Sequence, residues 1–145
     1  MEQVDLSICK SIWGSEDCDW IKKAATRRAR GILCMWSKGV FTIDSSFEGE
    51  GFLGVKGAWG LKRTKVAIIS LYSPCEFQDK LLWENLKNII ASIGRRICVM
   101  GDFNVVISKE DSVGRSDRLR EIMEFNNFIS DSTLIEMPLV GRKFT

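Results

Sequence analysis

Asp102 and Asn104 stand two residues apart at the end of the run Ile97-Cys98-Val99-Met100-Gly101-Asp102-Phe103-Asn104. A carboxylate can activate or orient a water. A carboxamide can donate to an anionic oxygen without needing a particular pKa. At that spacing an extended chain points both side chains the same way. Ile97 to Met100 are all apolar, and such a run calls for cover on both faces, as in an interior strand of an α/β sheet. Gly101 then lets the backbone turn sharply, leaving Asp102 and Asn104 at the rim of the sheet. Ligand and catalytic groups gather at strand ends of this kind. Each residue also has a plain structural reading: Asp102 as an Asx-turn residue, Asn104 as a turn residue tolerating left-handed backbone.

Other side chains could join them. Tyr72 is the only tyrosine and ends an apolar strand just before Pro74. Its phenol can donate to a developing negative charge, or it can be an interfacial core residue with a wet hydroxyl. Lys22, Lys23, Arg27, Arg28 and Arg30 follow one another with no acid between them. Such a run can bind a phosphate backbone, serve as a nuclear address, or simply be a solvated basic segment. Trp13, Trp20, Trp36, Trp59 and Trp83 are scattered, which favours packing over base stacking. Histidine is absent. That excludes a Ser-His-Asp triad, a Cys-His pair and any His-containing zinc site.

The elements that must position these residues are set by composition and pattern. A length of 145 residues suits one domain or part of one. A hydrophobic share of 45% supports a core and argues against disorder. A formal charge of +2 is too near neutral to announce nucleic acid by itself. No apolar run approaches the roughly 18 residues of a membrane span, so no membrane partner is expected. Met1 to Lys10 lacks the apolar stretch of a signal peptide. Cys9, Cys18, Cys34, Cys75 and Cys98 are odd in number and form no Cys-x-x-Cys. Reduced thiols, no disulfide partner and a nuclear or cytoplasmic location are the matching expectation.

Along the chain, Val4 to Trp20 reads as mixed and turn-like. Gly31 to Trp36 and Val40 to Asp44 read as strands joined by a turn at Ser37-Lys38-Gly39. Gly51 to Trp59 is a third strand, turning at Gly60 to Lys62 into Lys65 to Tyr72. Ser73-Pro74-Cys75-Glu76 has the form of a capping box. Leu82, Leu86, Ile89 and Ile93 make the apolar stripe of the helix that follows, and Gly94 is its expected left-handed stop. After the Gly-Asp-Phe-Asn strand, a loop runs from Ser108 to Ser116. A second helix covers about Asp117 to Ser130, carried by Leu119, Ile122, Met123, Phe125 and Ile129. Gly141 to Thr145 looks like the start of another strand. Antiparallel hairpins first and strand–helix alternation later indicate an α/β or α+β sandwich.

Gly101-Asp102-Phe103-Asn104 after an apolar strand resembles the metal-dependent endonuclease/exonuclease/phosphatase superfamily, which has the DNase I-like fold. Further blocks occur in the same order: Gly31-Ile32-Leu33-Cys34-Met35-Trp36, Leu71-Tyr72-Ser73-Pro74-Cys75, Leu82-Trp83-Glu84-Asn85-Leu86, Pro138-Leu139 and Gly141-Arg142-Lys143-Phe144-Thr145. Together they resemble the endonuclease domain of LINE-type (non-LTR) retrotransposons, especially those of plant genomes. The resemblance implies a partial DNase I-like two-sheet sandwich flanked by helices, a single truncated domain over residues 1–145. It implies phosphodiester hydrolysis with Mg²⁺ as cofactor and DNA as a candidate partner. A metal and fixed donors would offset the charge on phosphate and leaving oxygen while a carboxylate or imidazole orients the water. Asp102 matches the aspartate that orients the water, Asn104 the asparagine that holds the scissile phosphate, and Tyr72 a tyrosine near that phosphate. Thr145 matches a threonine that touches the substrate. No residue here is matched to the metal.

The chain also departs from the pattern. The family has a Ser-Gly-Gly run before the first of these strands, where this chain has Arg28-Ala29-Arg30-Gly31. The family's metal-binding glutamate, in a Gln-Glu-Thr strand end, would precede this stretch, and its Ser-Asp-His run would follow it. Three readings stand: an inactive remnant, a pseudo-enzyme or nucleic-acid-binding module, and a Mg²⁺-dependent nuclease active once the missing segments are supplied.

Overall fold

The structure is a computed structural model that describes residues 5–27, 30–72, 79–102 and 115–138. It opens with helix α1 (Leu6–Trp13), where the sequence reading expected turns. Two caps fix this short helix. The Asp5 carboxylate accepts from the Ile8 backbone N–H at 3.0 Å, and Gly14, at φ 86°, closes the last turn onto the Lys10 carbonyl. Cys9 is its buried residue. Strand β1 (Cys18–Lys23) was also unread. It pairs antiparallel with β2 (Ile32–Ser37), from Cys18 opposite Ser37 to Lys23 opposite Ile32.

A four-stranded sheet follows. Strands β3 (Phe41–Gly49), β4 (Phe52–Trp59) and β5 (Thr64–Tyr72) form an antiparallel meander. Strand β6 (Arg96–Asp102) lies parallel to β5, so the order is β3-β4-β5-β6. Parallel neighbours need a crossover, and helix α2 (Asp79–Ser92) lies in it. Helix α3 (Arg115–Asp131) packs against α2. The result is an α+β sandwich of two sheets with helices.

Alternation along β5 divides the two cores. Ile69 and Leu71 point to the helical side, where they meet Phe52, Leu82, Trp83, Leu86 and Phe128. Trp83 stacks on Phe128 with ring centroids 4.9 Å apart. Val66 and Ile68 point the other way, toward Trp36, Phe41 and Val55. There Trp36 meets Phe41 edge-on at 5.6 Å. The β1–β2 hairpin therefore covers one face of the larger sheet and the helices cover the other. Full burial of a side chain such as Leu86 or Ile69 stabilises by about 1.5–3 kcal/mol.

Several local expectations change. The α2 stripe holds, since Leu82, Leu86 and Ile93 are buried. Gly94, however, is not among the residues with positive φ. The helix instead closes with the Ile93 N–H donating to the Ile89 and Ile90 carbonyls, and the Ser92 hydroxyl donating to the Ile89 carbonyl at 2.7 Å. Strand β6 is outermost among the described residues. Ile97 and Val99 pack on the helical core, but Cys98 is exposed and Met100 is 46% exposed. The hairpin reaches over β4 and β5 and leaves this face of β6 uncovered. On α3, Leu119 and Met123 face solvent, and Phe128 is the buried anchor. The helix starts at Arg115, inside the span expected to be loop. The capping box at Ser73–Glu76 lies outside the described residues.

Candidate functional site

Strands β5 and β6 run the same way and end together. Their ladder pairs Leu71 with Gly101 and Tyr72 with Asp102. Neighbouring strands lie about 4.8 Å apart, so the backbones of Tyr72 and Asp102 are adjacent at one rim of the sheet. Parallel strands put their carboxyl ends on the same side, which is where open α/β sheets place ligands.

Gly101 makes that adjacency possible. Its φ is 144°, and a Cβ built there would lie 2.0 Å from the Leu71 carbonyl oxygen. No side chain fits. The sequence reading gave Gly101 the task of turning the chain, but β6 instead continues through it to Asp102. The glycine serves close approach of two backbones at the last rungs of the ladder.

Tyr72 is held from two further sides. Its backbone N–H donates to the Gly51 carbonyl at 2.9 Å. Gly51, in the β3–β4 turn at φ 80°, would place a Cβ 3.1 Å from the Tyr72 carbonyl oxygen. The turn is thereby seated against the end of β5. From the hairpin side, the Arg30 guanidinium carbon lies 5.9 Å from the centroid of the Tyr72 ring. That is within the range of a cation–π contact. Arg30 itself is exposed. Beside Gly51 lies an open depression of about 430 Å³, lined by Lys23, Thr26, Arg27, Glu48, Gly49 and Glu50. It carries both signs of charge.

This rim thus gathers a phenol, an aspartate position and a guanidinium, with two more cations nearby. A phenol and a guanidinium donate hydrogen bonds to anionic oxygens. Among the described residues, no group of three or more His, Cys, Asp or Glu side chains is placed to hold a metal ion. Asn104 and Thr145 lie outside the described residues, as does Arg28. Of the tryptophans, Trp36 and Trp83 are core residues, while Trp13 and Trp59 are substantially exposed.

Sequence reasoning placed Arg30 in a basic run but did not bring it to Tyr72. The available signal was its position at the foot of a strand whose partner sheet was still unknown. Another charged group sits at the opposite end of the large sheet. Asp44 occupies a bulge in β3, where the register shifts between Ile43 and Ser45. It accepts from Lys65 Nζ at 3.0 Å and from an Arg95 guanidinium nitrogen at 3.4 Å. The hydrogen bond from Lys65 is the largest influence on the carboxyl; desolvation opposes it, and the Lys65 charge with the hydrogen bond and charge of Arg95 leave the carboxyl below its ordinary value. This cluster ties β3 to the starts of β5 and β6 and is structural. No protein-family model matches the chain, and no curated protein matches it.

Proposed function

We propose that this chain is a remnant of a metal-dependent phosphodiesterase domain, the DNA endonuclease of a LINE-type retrotransposon, that keeps its phosphate-facing rim and does not cleave on its own. The observation that carries the reading is the in-register ending of two parallel strands in Tyr72 and Asp102. These are two of the positions that the ordered sequence blocks match to phosphate contact and water activation. Gly101, one rung before, leaves no room for a Cβ against the Leu71 carbonyl, so β5 and β6 lie close where they end.

Magnesium sites commonly draw on one or two carboxylates plus substrate phosphates, in near-octahedral geometry. At this rim Asp102 is the one residue matched to catalysis that bears a carboxylate, and the described residues offer no cluster of metal-ligating side chains. Among the described residues the donor set does not fit a fixed Mg²⁺. The sequence also holds no histidine to contact the phosphate. What remains is binding chemistry: hydrogen-bond donors facing an anionic oxygen, without a preorganised partner for charge developing on the leaving group.

The test is a nicking assay on supercoiled plasmid with Mg²⁺ or Mn²⁺. The chain as given should leave the plasmid intact. Grafting on the family's two preceding strands and its Ser-Asp-His segment should restore nicking, and Asp102→Ala in that graft should abolish it. Cleavage by the unmodified chain that disappears with Asp102→Ala would overturn the remnant reading.

A further inference from the structure

We propose that Arg30 is a phosphate-binding residue, held on the face of Tyr72 so that its guanidinium edge meets a phosphodiester of a nucleic-acid backbone at the rim where Asp102 ends β6. The proposal rests on the phosphodiesterase-remnant reading and adds a residue to it, at a position where the chain departs from the Ser-Gly-Gly pattern.

Three observations carry it. The first is a cation–π contact, with Arg30 Cζ over the Tyr72 ring at 5.9 Å from its centroid. A guanidinium lying over an aromatic ring uses its π-face for that contact and keeps its in-plane N–H groups for other acceptors. A planar fork of this kind matches phosphate bidentately, and a side chain already held over a ring loses less freedom on binding. The second is that among the described residues Arg30 forms no salt bridge. Lys10, Lys65, Lys87, Arg95 and Arg120 are each paired with a carboxylate. The third is position. Arg30 precedes β2, which ends up on the hairpin side of the sheet, and there it reaches the last residue of β5. Tyr72 is the Cα partner of Asp102, so an anion gripped by Arg30 lies beside the strand end that the resemblance matches to catalysis. Lys23 and Arg27 line the neighbouring depression together with Glu48 and Glu50, so the proposal rests on Arg30 and not on a continuous basic surface.

The experiment is fluorescence anisotropy of a labelled DNA duplex titrated with the chain over a series of NaCl concentrations. Each phosphate contact contributes close to one to the slope of log K against log salt. Arg30→Ala should weaken binding several-fold, independently of DNA sequence, and lower that slope by about 1. Arg30→Lys should keep most of the slope but bind more weakly than the parent, because a lysine retains charge and loses the planar fork. Lys87→Ala, which removes a pair with Asp131 on the helical side, should change neither. Arg30 is exposed, so circular dichroism of both Arg30 variants should match the parent. If the parent binds DNA and Arg30→Ala leaves affinity and slope unchanged, the Arg30 proposal falls and the remnant reading stands. If the parent does not bind DNA, both fall. If inorganic phosphate displaces DNA beyond the effect of chloride at equal ionic strength, the site is one for free phosphate, and the backbone assignment is wrong.

Discussion

At Gly101 the room for a side chain is set by a neighbouring backbone. A methyl group there would meet the Leu71 carbonyl oxygen at 2.0 Å, and the φ of 144° is itself unfavourable for any L side chain. Gly101→Ala should destabilise by at least about 1–3 kcal/mol, the range for one strained backbone position, and measured unfolding in urea should move to lower midpoint. A neutral result would mean that β5 and β6 do not approach as described. The variant should also weaken DNA binding at the rim, because β6 must shift from Tyr72 to relieve the contact. The place of Asp102 at a strand end was legible because an apolar run, a glycine and a carboxylate occur in one short stretch, whereas the cover expected on both faces of that strand is missing at Cys98 and Met100. The Arg30–Tyr72 contact was not, because it joins residues far apart in the chain and depends on how two sheets stack.

Elements differ in how openly they advertise themselves. Strands β2, β4 and β5 and helix α2 are carried by continuous apolar runs or a clean 3.6-residue stripe, and each falls where the sequence put it. Helix α1 is short, and its existence depends on the caps Asp5 and Gly14 more than on period. Strand β1 ends in Lys22-Lys23, which hid its pairing with β2 behind the look of a basic segment. Helix α3 was found, and Phe125 and Ile129 pack on the core as expected, but Leu119 and Met123 face solvent and Phe128 is the residue buried most deeply. Its apolar residues are spread around the helix, and which of them turns inward depends on where α2 lies. The described packing gives a direct contrast. Phe128, 1% exposed and stacked on Trp83, should cost about 3–5 kcal/mol when replaced by alanine. Met123, 64% exposed, should change stability by no more than about 0.5 kcal/mol. Equal effects from Phe128→Ala and Met123→Ala in thermal unfolding would mean that α3 is rotated from the position given.

For the molecule as a whole, the sandwich is held at one end by charge and at the other by close backbone approach. Asp44 bridges Lys65 and Arg95, and its carboxyl titrates below its ordinary range. A carboxyl lowered in the folded state stabilises it above the unfolded pKa of about 4. That contribution is lost as pH falls through the folded value. Asp44→Asn should therefore lower Tm at pH 7 and have a smaller effect at pH 3; an equal effect at both would remove ionisation as the cause. The parallel pair has a different consequence, in the order of assembly. The β3–β4–β5 meander closes through short turns, whereas β6 reaches β5 only after α2 has been laid across the sheet. Contacts distant in sequence form late because loop closure precedes their gain. Val55→Ala, in the meander, should slow folding, whereas Val99→Ala, in β6, should chiefly accelerate unfolding. Stopped-flow chevrons with the opposite partition would reject this sequence of events. The seam between Tyr72 and Asp102 is then the last to close and the first to open, so a nascent or partly unfolded chain would carry an intact meander while the rim at the ends of β5 and β6 was still unmade.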